Sequence, residues 1–270
     1  FRRAGLRLAS PQHKALTPMS RTPLRRLALL ALAAPLALGL SACSKEDATG
    51  AAPSGEALAK VAAPAGKSWA DVVVKTEDGG YRMGNPEAPI KLVEYASLTC
   101  SHCAEFAHEA SAELRDTFVA SGRVSWEFRN FVRDGIDITA AQLTRCGAPE
   151  SFFALTDQVL ANQSAIIQQV QAAGQQAFEA AMNQPDATRG AAIAKLAGLD
   201  EFFAARGIAR DQAAACLANA AEAQNLARLA QQQGERDQIT GTPTFLINGV
   251  KEQGNSWPAI KARLEALGAR

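Results

Sequence analysis

The chain has 270 residues, 47% hydrophobic and 20% charged, which is enough apolar material for one or two globular domains with a packed core. Its formal net charge of +1 hides a segregation, because the first 42 residues carry seven Lys or Arg and no acid. The rest has 21 basic and 27 acidic residues, a net of −6 that argues against a nucleic-acid binder, which needs a basic face.

Phe1 to Pro18 shows no hydrophobic period and reads as sequence upstream of a start at Met19. From Met19, the basic residues Arg21, Arg25 and Arg26 precede an apolar run from Leu27 to Leu40. That run is 14 residues long and contains Pro35 and Gly39, so it falls short of the roughly 20 residues a membrane helix needs. It has the form of a secretory signal, giving residues 1–42 as a leader. Leu40-Ser41-Ala42-Cys43 resembles the bacterial lipobox, which implies a lipidated Cys43 as the mature N-terminus and a membrane anchor. An ordinary cleavage site with an incidental cysteine is the alternative. Ser44 to Lys67 is rich in Ala, Gly and Ser and is broken by Pro53 and Pro64, so residues 43–68 read as a flexible tether, with the folded domain beginning near Trp69.

Val72 to Val74 is a short strand candidate, and Asp78-Gly79-Gly80 and Gly84 to Pro89 are turns. Ile90 to Ala96 is an apolar, β-branched run that reads as the central strand. Cys100-Ser101-His102-Cys103 follows, and an apolar stripe at Cys103, Phe106, Ala107, Ala110, Leu114 and Phe118 predicts a helix ended by Ser121-Gly122. Val124, Trp126 and Phe128 alternate as a strand, continued at Phe131 and Val132. Residues 134–238 contain no strand pattern. Helices are predicted at Ile138–Cys146, Pro149–Asn162, Gln163–Met182, Ala187–Ala197, Asp200–Ala205 and Asp211–Gln233. Gly241-Thr-Pro-Thr-Phe-Leu-Ile-Asn-Gly249 gives a strand and a two-residue Asn-Gly hairpin turn into Val250–Gln253, and Trp257 to Leu267 closes the chain as a helix.

The chemistry concentrates at Cys100 and Cys103. A sharp turn from strand to helix places Cys100 in the first helical turn, where backbone N–H groups lack internal partners and the helix dipole is positive. Both stabilise a thiolate, the nucleophilic form, and Cys-X-X-Cys sites reach pKa values of about 3.5–7.5 against about 8.5 for a free thiol. A stabilised thiolate makes the corresponding disulfide an oxidant. Five cysteines are present, and lipidation of Cys43 accounts for the odd one. In an oxidising compartment Cys146 and Cys216 are expected to pair, with two free buried thiols as the alternative. His108 lies six residues from His102, so the two do not share a helix face, and no fourth ligand accompanies the cysteines. No metal and no cofactor are expected.

Strand, Cys-X-X-Cys, helix, strand, helical segment, Thr-Pro, hairpin and helix together resemble an α/β thioredoxin fold carrying an inserted all-helical domain. The chain is similar to the DsbA-like thiol:disulfide oxidoreductases from about Trp69 to its C-terminus, most clearly at Val93 to Cys103 and Gly241 to Gly249. The resemblance implies a thioredoxin-like domain at 69–133 and 239–270 with a helical insertion at 134–238. It implies that Cys100 is the exposed nucleophile, Cys103 the buried resolving thiol, and Ser101 and His102 the residues that tune the couple. His102 would donate hydrogen bonds to the thiolate. Pro243 matches the family's cis-proline opposite the disulfide, which frees the backbone of Thr242 to pair with an extended substrate. Without the resemblance Thr242-Pro243 is an ordinary turn. Glu94 lies on a strand that should be buried, where a carboxylate is costly without a use or a partner, and it matches the acidic residue that assists proton transfer from the buried thiol; a glutamate facing a solvated edge is the alternative. A second disulfide at Cys146 and Cys216 fits some relatives.

The function implied is an exported oxidase of substrate protein dithiols, lipid-anchored on the periplasmic side of a bacterial membrane. Its partners would be unfolded or newly exported proteins and a membrane quinone-linked protein that reoxidises it. The family's oxidants often carry Pro where Ser101 stands, so a disulfide isomerase or reductase is the alternative. Those relatives usually have a dimerisation domain for which Ser44 to Lys67 is too short, so a monomer is expected. A non-catalytic peptide-binding module on the same scaffold has no use for two intact cysteines.

Overall fold

The computed structural model describes residues 56–270. The leader, Cys43 and the first part of the tether lie outside the described residues. Six strands form one mixed sheet: β1 (Val73–Lys75), β2 (Tyr81–Gly84), β3 (Ile90–Ala96), β4 (Val124–Asn130), β5 (Thr244–Ile247) and β6 (Val250–Lys251), in the order β1-β2-β4-β3-β5-β6. β3 and β4 are parallel and the other neighbours antiparallel. Parallel neighbours need a crossover, here the helix α1 (Ser101–Glu113), which continues through a wider π-helical turn at Leu114–Val119. β3 therefore sits between β4 and β5, covered on both faces, and Leu92, Tyr95 and Ala96 are fully buried. Its period of two puts Leu92, Glu94 and Ala96 on one face and Val93 and Tyr95 on the other.

Phe106 of α1 packs between Phe245 of β5, with ring centroids 4.5 Å apart, and Trp257 at the start of the last helix, α10 (Trp257–Ala266). Between β4 and β5 lie eight helices: α2 (Gly135–Thr144), α3 (Phe152–Ala161), α4 (Gln163–Ala173), α5 (Gln175–Met182), α6 (Asp186–Leu196), α7 (Leu199–Ala204), α8 (Arg210–Ala218) and α9 (Ala220–Arg236). The insertion is sewn to the sheet by aromatic rings. Phe152 stacks on Tyr81 of β2 at 4.0 Å, and Phe153 packs on Trp126 of β4 at 4.7 Å. Arg145, its side chain buried, meets the same Tyr81 ring: its guanidinium is 5.0 Å from the ring centroid and donates to the Gly79 carbonyl.

Most predicted elements stand, with four differences. β4 ends at Asn130 and does not continue through Phe131 and Val132. Tyr81–Gly84 is a strand, where the sequence shows turns on both sides of it and only Tyr81 and Met83 alternating between them. The predicted helix Asp211–Gln233 is two helices, because Asn219 leaves helical geometry and its side chain caps α9 by accepting from the Glu222 N–H. Likewise Gln163–Met182 breaks at Gly174, whose φ of 87° suits glycine.

The ordered domain also begins earlier than Trp69. The Leu58 N–H donates to the Gly268 carbonyl and the Val61 N–H to the Ser121 carbonyl. Trp69 Nε1 donates back to the Val61 carbonyl at 2.9 Å. Two glycines admit this strap. A Cβ at Gly122 would come within 2.6 Å of the Val61 carbonyl and Trp69 Nε1, and one at Gly268 within 2.5 Å of the Glu56 carbonyl. Both also have positive φ.

Candidate active site

Cys100 is the N-cap of α1, one position ahead of its first turn, and its carbonyl accepts from the Cys103 and Ala104 N–H groups, which starts the helix. Cys100 is 5% exposed, a buried residue and not the exposed one the resemblance implies, and its sulfur lies 3.2 Å from the Thr242 carbonyl oxygen. The Thr242–Pro243 bond is cis and Pro243 is buried, so the β5 entry loop and the helix terminus face each other across the thiol. Cys103, three residues further along α1, is fully buried. Both are free thiols in this dithiol form.

The two thiols differ electrostatically. Cys100 is lowered to about 4, chiefly by the hydrogen bond from the Cys103 thiol, then by the Thr242 side chain and the N–H groups of Cys103 and His102, against burial. The Thr242 hydroxyl is buried and has no other polar partner. Burial pushes Cys103 far above the ordinary thiol range, helped by its bond to Cys100 and by the nearby Glu94 charge. One sulfur is therefore ionised at neutral pH and the other holds its proton.

Glu94, on β3, is 1% exposed rather than on a solvated edge. Its one hydrogen-bond partner is Trp126 Nε1, donating to Oε2 at 3.0 Å. Burial raises it to about 8, countered by the Trp126 bond and reinforced by Asp157 on α3. It is thus a protonated acid at neutral pH beneath Cys103. Ser101 and His102 are exposed on the first turn of α1. The His102 imidazole lies 3.5 Å from Glu105, with three-quarters of the side chain in solvent, so it is the residue's backbone N–H and not its ring that serves the thiolate.

Cys146 and Cys216 are joined by a disulfide that ties the end of α2 to α8, with Cα atoms 5.9 Å apart. A cavity of about 630 Å³ lies between α2, α6 and α9, lined by Phe131, Ile138, Met182, Ile193 and Leu217, and neither redox cysteine lines it. A smaller depression of about 270 Å³, bordered by Pro243, Thr244, Phe245 and Lys251–Asn255, lies beside the cis-proline.

A set of residues that the sequence did not single out surrounds the turn before Cys100. Asp137 of α2, fully buried, accepts from the Ser97 hydroxyl at 2.6 Å, the Leu98 N–H at 2.9 Å and the Arg133 N–H at 3.1 Å. Asp134, the N-cap of α2, accepts from the Thr99 hydroxyl, and Arg133 donates to the Thr99 carbonyl. Gln163, at the start of α4 and 5% exposed, donates to the carbonyls of Leu98 and Cys100 at 2.8 and 3.0 Å. The spacing Asp134-x-x-Asp137 signals a helix start, but nothing in it says where the second carboxylate points.

Residues 76–266 match the family model described as Thioredoxin. The chain belongs to that family. A crystal structure described as protein-disulfide isomerase, from Novosphingobium aromaticivorans, superposes with a TM-score of 0.66 at 36% identity, over 70% of this chain and 97% of that one. The crystal structure of Wolbachia pipientis alpha-DsbA1 shares the fold, with a TM-score of 0.56 at 21% identity over 70% of this chain and 90% of that one. A Rickettsia conorii protein provisionally named a protein-disulfide oxidoreductase is 27% identical over 72% of this chain. The chain spans 62% of that relative's length and 66% of its Rickettsia bellii counterpart's.

Proposed function

We propose that the protein oxidises dithiols in substrate proteins by donating a Cys100–Cys103 disulfide. The observation that carries this reading is the pairing of a thiolate at the N-cap of α1, held at about 4, with a fully buried partner thiol three residues on. A substrate thiolate attacks Cys100, because Cys103 is out of reach. The Cys100–Cys103 bond breaks, a mixed disulfide forms, and Cys103 takes up a proton, with the buried, protonated Glu94 as its source in this reading. A second substrate thiolate then attacks its own sulfur in the mixed disulfide. The substrate leaves oxidised by two electrons and Cys100 leaves as a thiolate. Stabilising that thiolate favours the reduced enzyme, and so the forward direction. Pro243 and Thr242 present backbone to an extended substrate, with Ser101 and His102 on the exposed rim.

Lipid anchoring through Cys43, a periplasmic location, a monomeric state and a quinone-linked reoxidising partner belong to the same reading. They rest on the leader pattern and on the family. Among the described residues no helix is long and apolar enough to cross a membrane. The isomerase alternative has support in the name of the Novosphingobium relative.

The test is the reduction potential of the Cys100–Cys103 couple together with the titration of Cys100 in the reduced protein. An oxidase gives a potential well above the roughly −270 mV of thioredoxin and a thiolate midpoint near 4. A potential at the thioredoxin value with a midpoint near neutrality overturns the oxidase reading. Full dithiol-oxidising activity in Cys100→Ser overturns the enzymatic one.

A further inference from the structure

We propose that the helical insertion positions the nucleophile: Asp137 and Gln163 grip the turn Leu98–Cys100 from two different helices and hold Cys100 in its reactive pose. Both are positioning residues, since neither touches the reacting sulfur. The inference rests on Cys100 being the attacking thiol and gives the insertion a part in that chemistry.

The geometry is a full accounting of the turn's backbone. The Leu98 N–H goes to Asp137 and the Leu98 carbonyl to Gln163. The Thr99 N–H goes to the Ser97 hydroxyl, which itself donates to Asp137, and the Thr99 carbonyl accepts from Arg133. The Cys100 N–H goes to the Ser97 carbonyl, and its own carbonyl is shared by Gln163 and the first turn of α1. Every backbone donor and acceptor from 98 to 100 is thus met, and the partners that come from outside the turn and α1 lie on α2, on α4 and at the residue just before the α2 cap.

Physical cost says what this arrangement is for. A buried carboxylate is expensive unless it is bonded several times over, and apolar residues of the same volume serve stability as well or better. Asp137 is fully buried, next to Asp134 and beside Arg133. What it supplies that an apolar residue does not is direction. Two acceptor oxygens fix the Leu98 N–H and the Ser97 hydroxyl at once. The Leu98–Thr99 segment sets where α1 begins, and therefore whether the N–H groups of His102 and Cys103 aim at the Cys100 sulfur. Gln163 fixes the same segment from the opposite, carbonyl side. Neither contact depends on the direction in which the enzyme is used.

Two variants test this. Gln163→Met keeps the side chain's length and loses both N–H donors. Asp137→Asn keeps its shape and one acceptor oxygen. Each is compared with the parent by titration of the thiolate's ultraviolet absorbance, by the rate of iodoacetamide alkylation of Cys100 and by thermal melting. Losing the equivalent of one net hydrogen bond raises the Cys100 midpoint by about 0.7 pH unit and slows alkylation at the parent's midpoint pH about threefold. Asp137→Asn shifts the same way by less. A Gln163→Met protein that melts lower but titrates at the parent's midpoint overturns the inference, since a merely structural contact does that. Should that variant not fold, Gln163→Asn, whose amide falls one methylene short, is read by the same criteria. A parent protein titrating like a free thiol instead overturns the reading of Cys100 on which the inference rests.

Discussion

Glu94 and Cys103 are both fully buried, and the Glu94 charge is one of the causes that hold the Cys103 proton in place. Burial holds Glu94 protonated up to about 8, against an ordinary 4.5. Because its pKa is raised in the folded state, its contribution to stability is fully present below 4.5 and is lost as pH rises toward 8. Glu94→Gln, which still accepts from Trp126 Nε1, removes that loss. In the disulfide form, where neither cysteine titrates, this variant melts with the parent near pH 4.5 and several degrees above it near pH 8. The same change slows protonation of Cys103 when the mixed disulfide forms, so turnover falls while stability at pH 8 rises. A variant that melts below the parent at pH 8 shows that Glu94 is not buried at a cost. Cys100 has the opposite sign. Its lowered pKa stabilises the reduced protein above the ordinary thiol range, and that stabilisation drains away as pH falls through about 4.

At the scale of elements, local chemistry was legible wherever a segment announces itself. Ile90–Ala96, the Cys-X-X-Cys helix, Val124–Asn130 and the Asn248-Gly249 hairpin follow directly from β-branched runs, an apolar stripe and an Asn-Gly turn. β2 escaped because a four-residue strand with two inward side chains carries almost no period, and its identity comes from pairing with β1 and β4. The α8–α9 break escaped because Ala-rich sequence is helical on both sides, and only Asn219 marks the cap. The site divides the same way. Cys100, Cys103, Glu94 and Pro243 are adjacent to the motif or to its matching loop, whereas Asp137 and Gln163 reach it over more than thirty and sixty residues of sequence. Long-range pairing has no local signature. The Cys146–Cys216 disulfide closes the insertion over 70 residues. Replacing both cysteines by alanine costs about 2–4 kcal/mol, or roughly 5–15 °C in Tm, with the Cys100 titration unmoved. Calorimetry that finds no change in Tm shows that packing alone already closes the loop.

Taken whole, the molecule has an apolar interior that runs from α10 through the sheet into the insertion, with the redox pair at the end of the central strand. On the far face Tyr95 bonds Asp237, just past α9, and Arg129 donates to the Tyr95 hydroxyl at 2.9 Å and pairs with Asp78 at 2.7 Å, so the insertion's exit is tied down as well as its entry. The N-terminal strap at Leu58 and Val61 fastens the point where the chain enters the domain. If Cys43 carries the anchor, mass spectrometry of the mature protein from membranes finds an acylated N-terminal Cys43, and an unmodified N-terminus elsewhere overturns that part of the reading. The Tyr81–Phe152 stack has a last consequence, for ancestry and engineering alike. An insertion is usually imagined as a cassette, a block that was dropped into an older scaffold and could be lifted out again. Here excision would strip one face from Tyr81, Trp126 and Phe128, three rings that meet Phe152 and Phe153. The scaffold left behind would carry a bare aromatic patch, the kind of surface that drives association between copies. The helices and the sheet have become mutual dependants, and neither half can be inherited or borrowed alone.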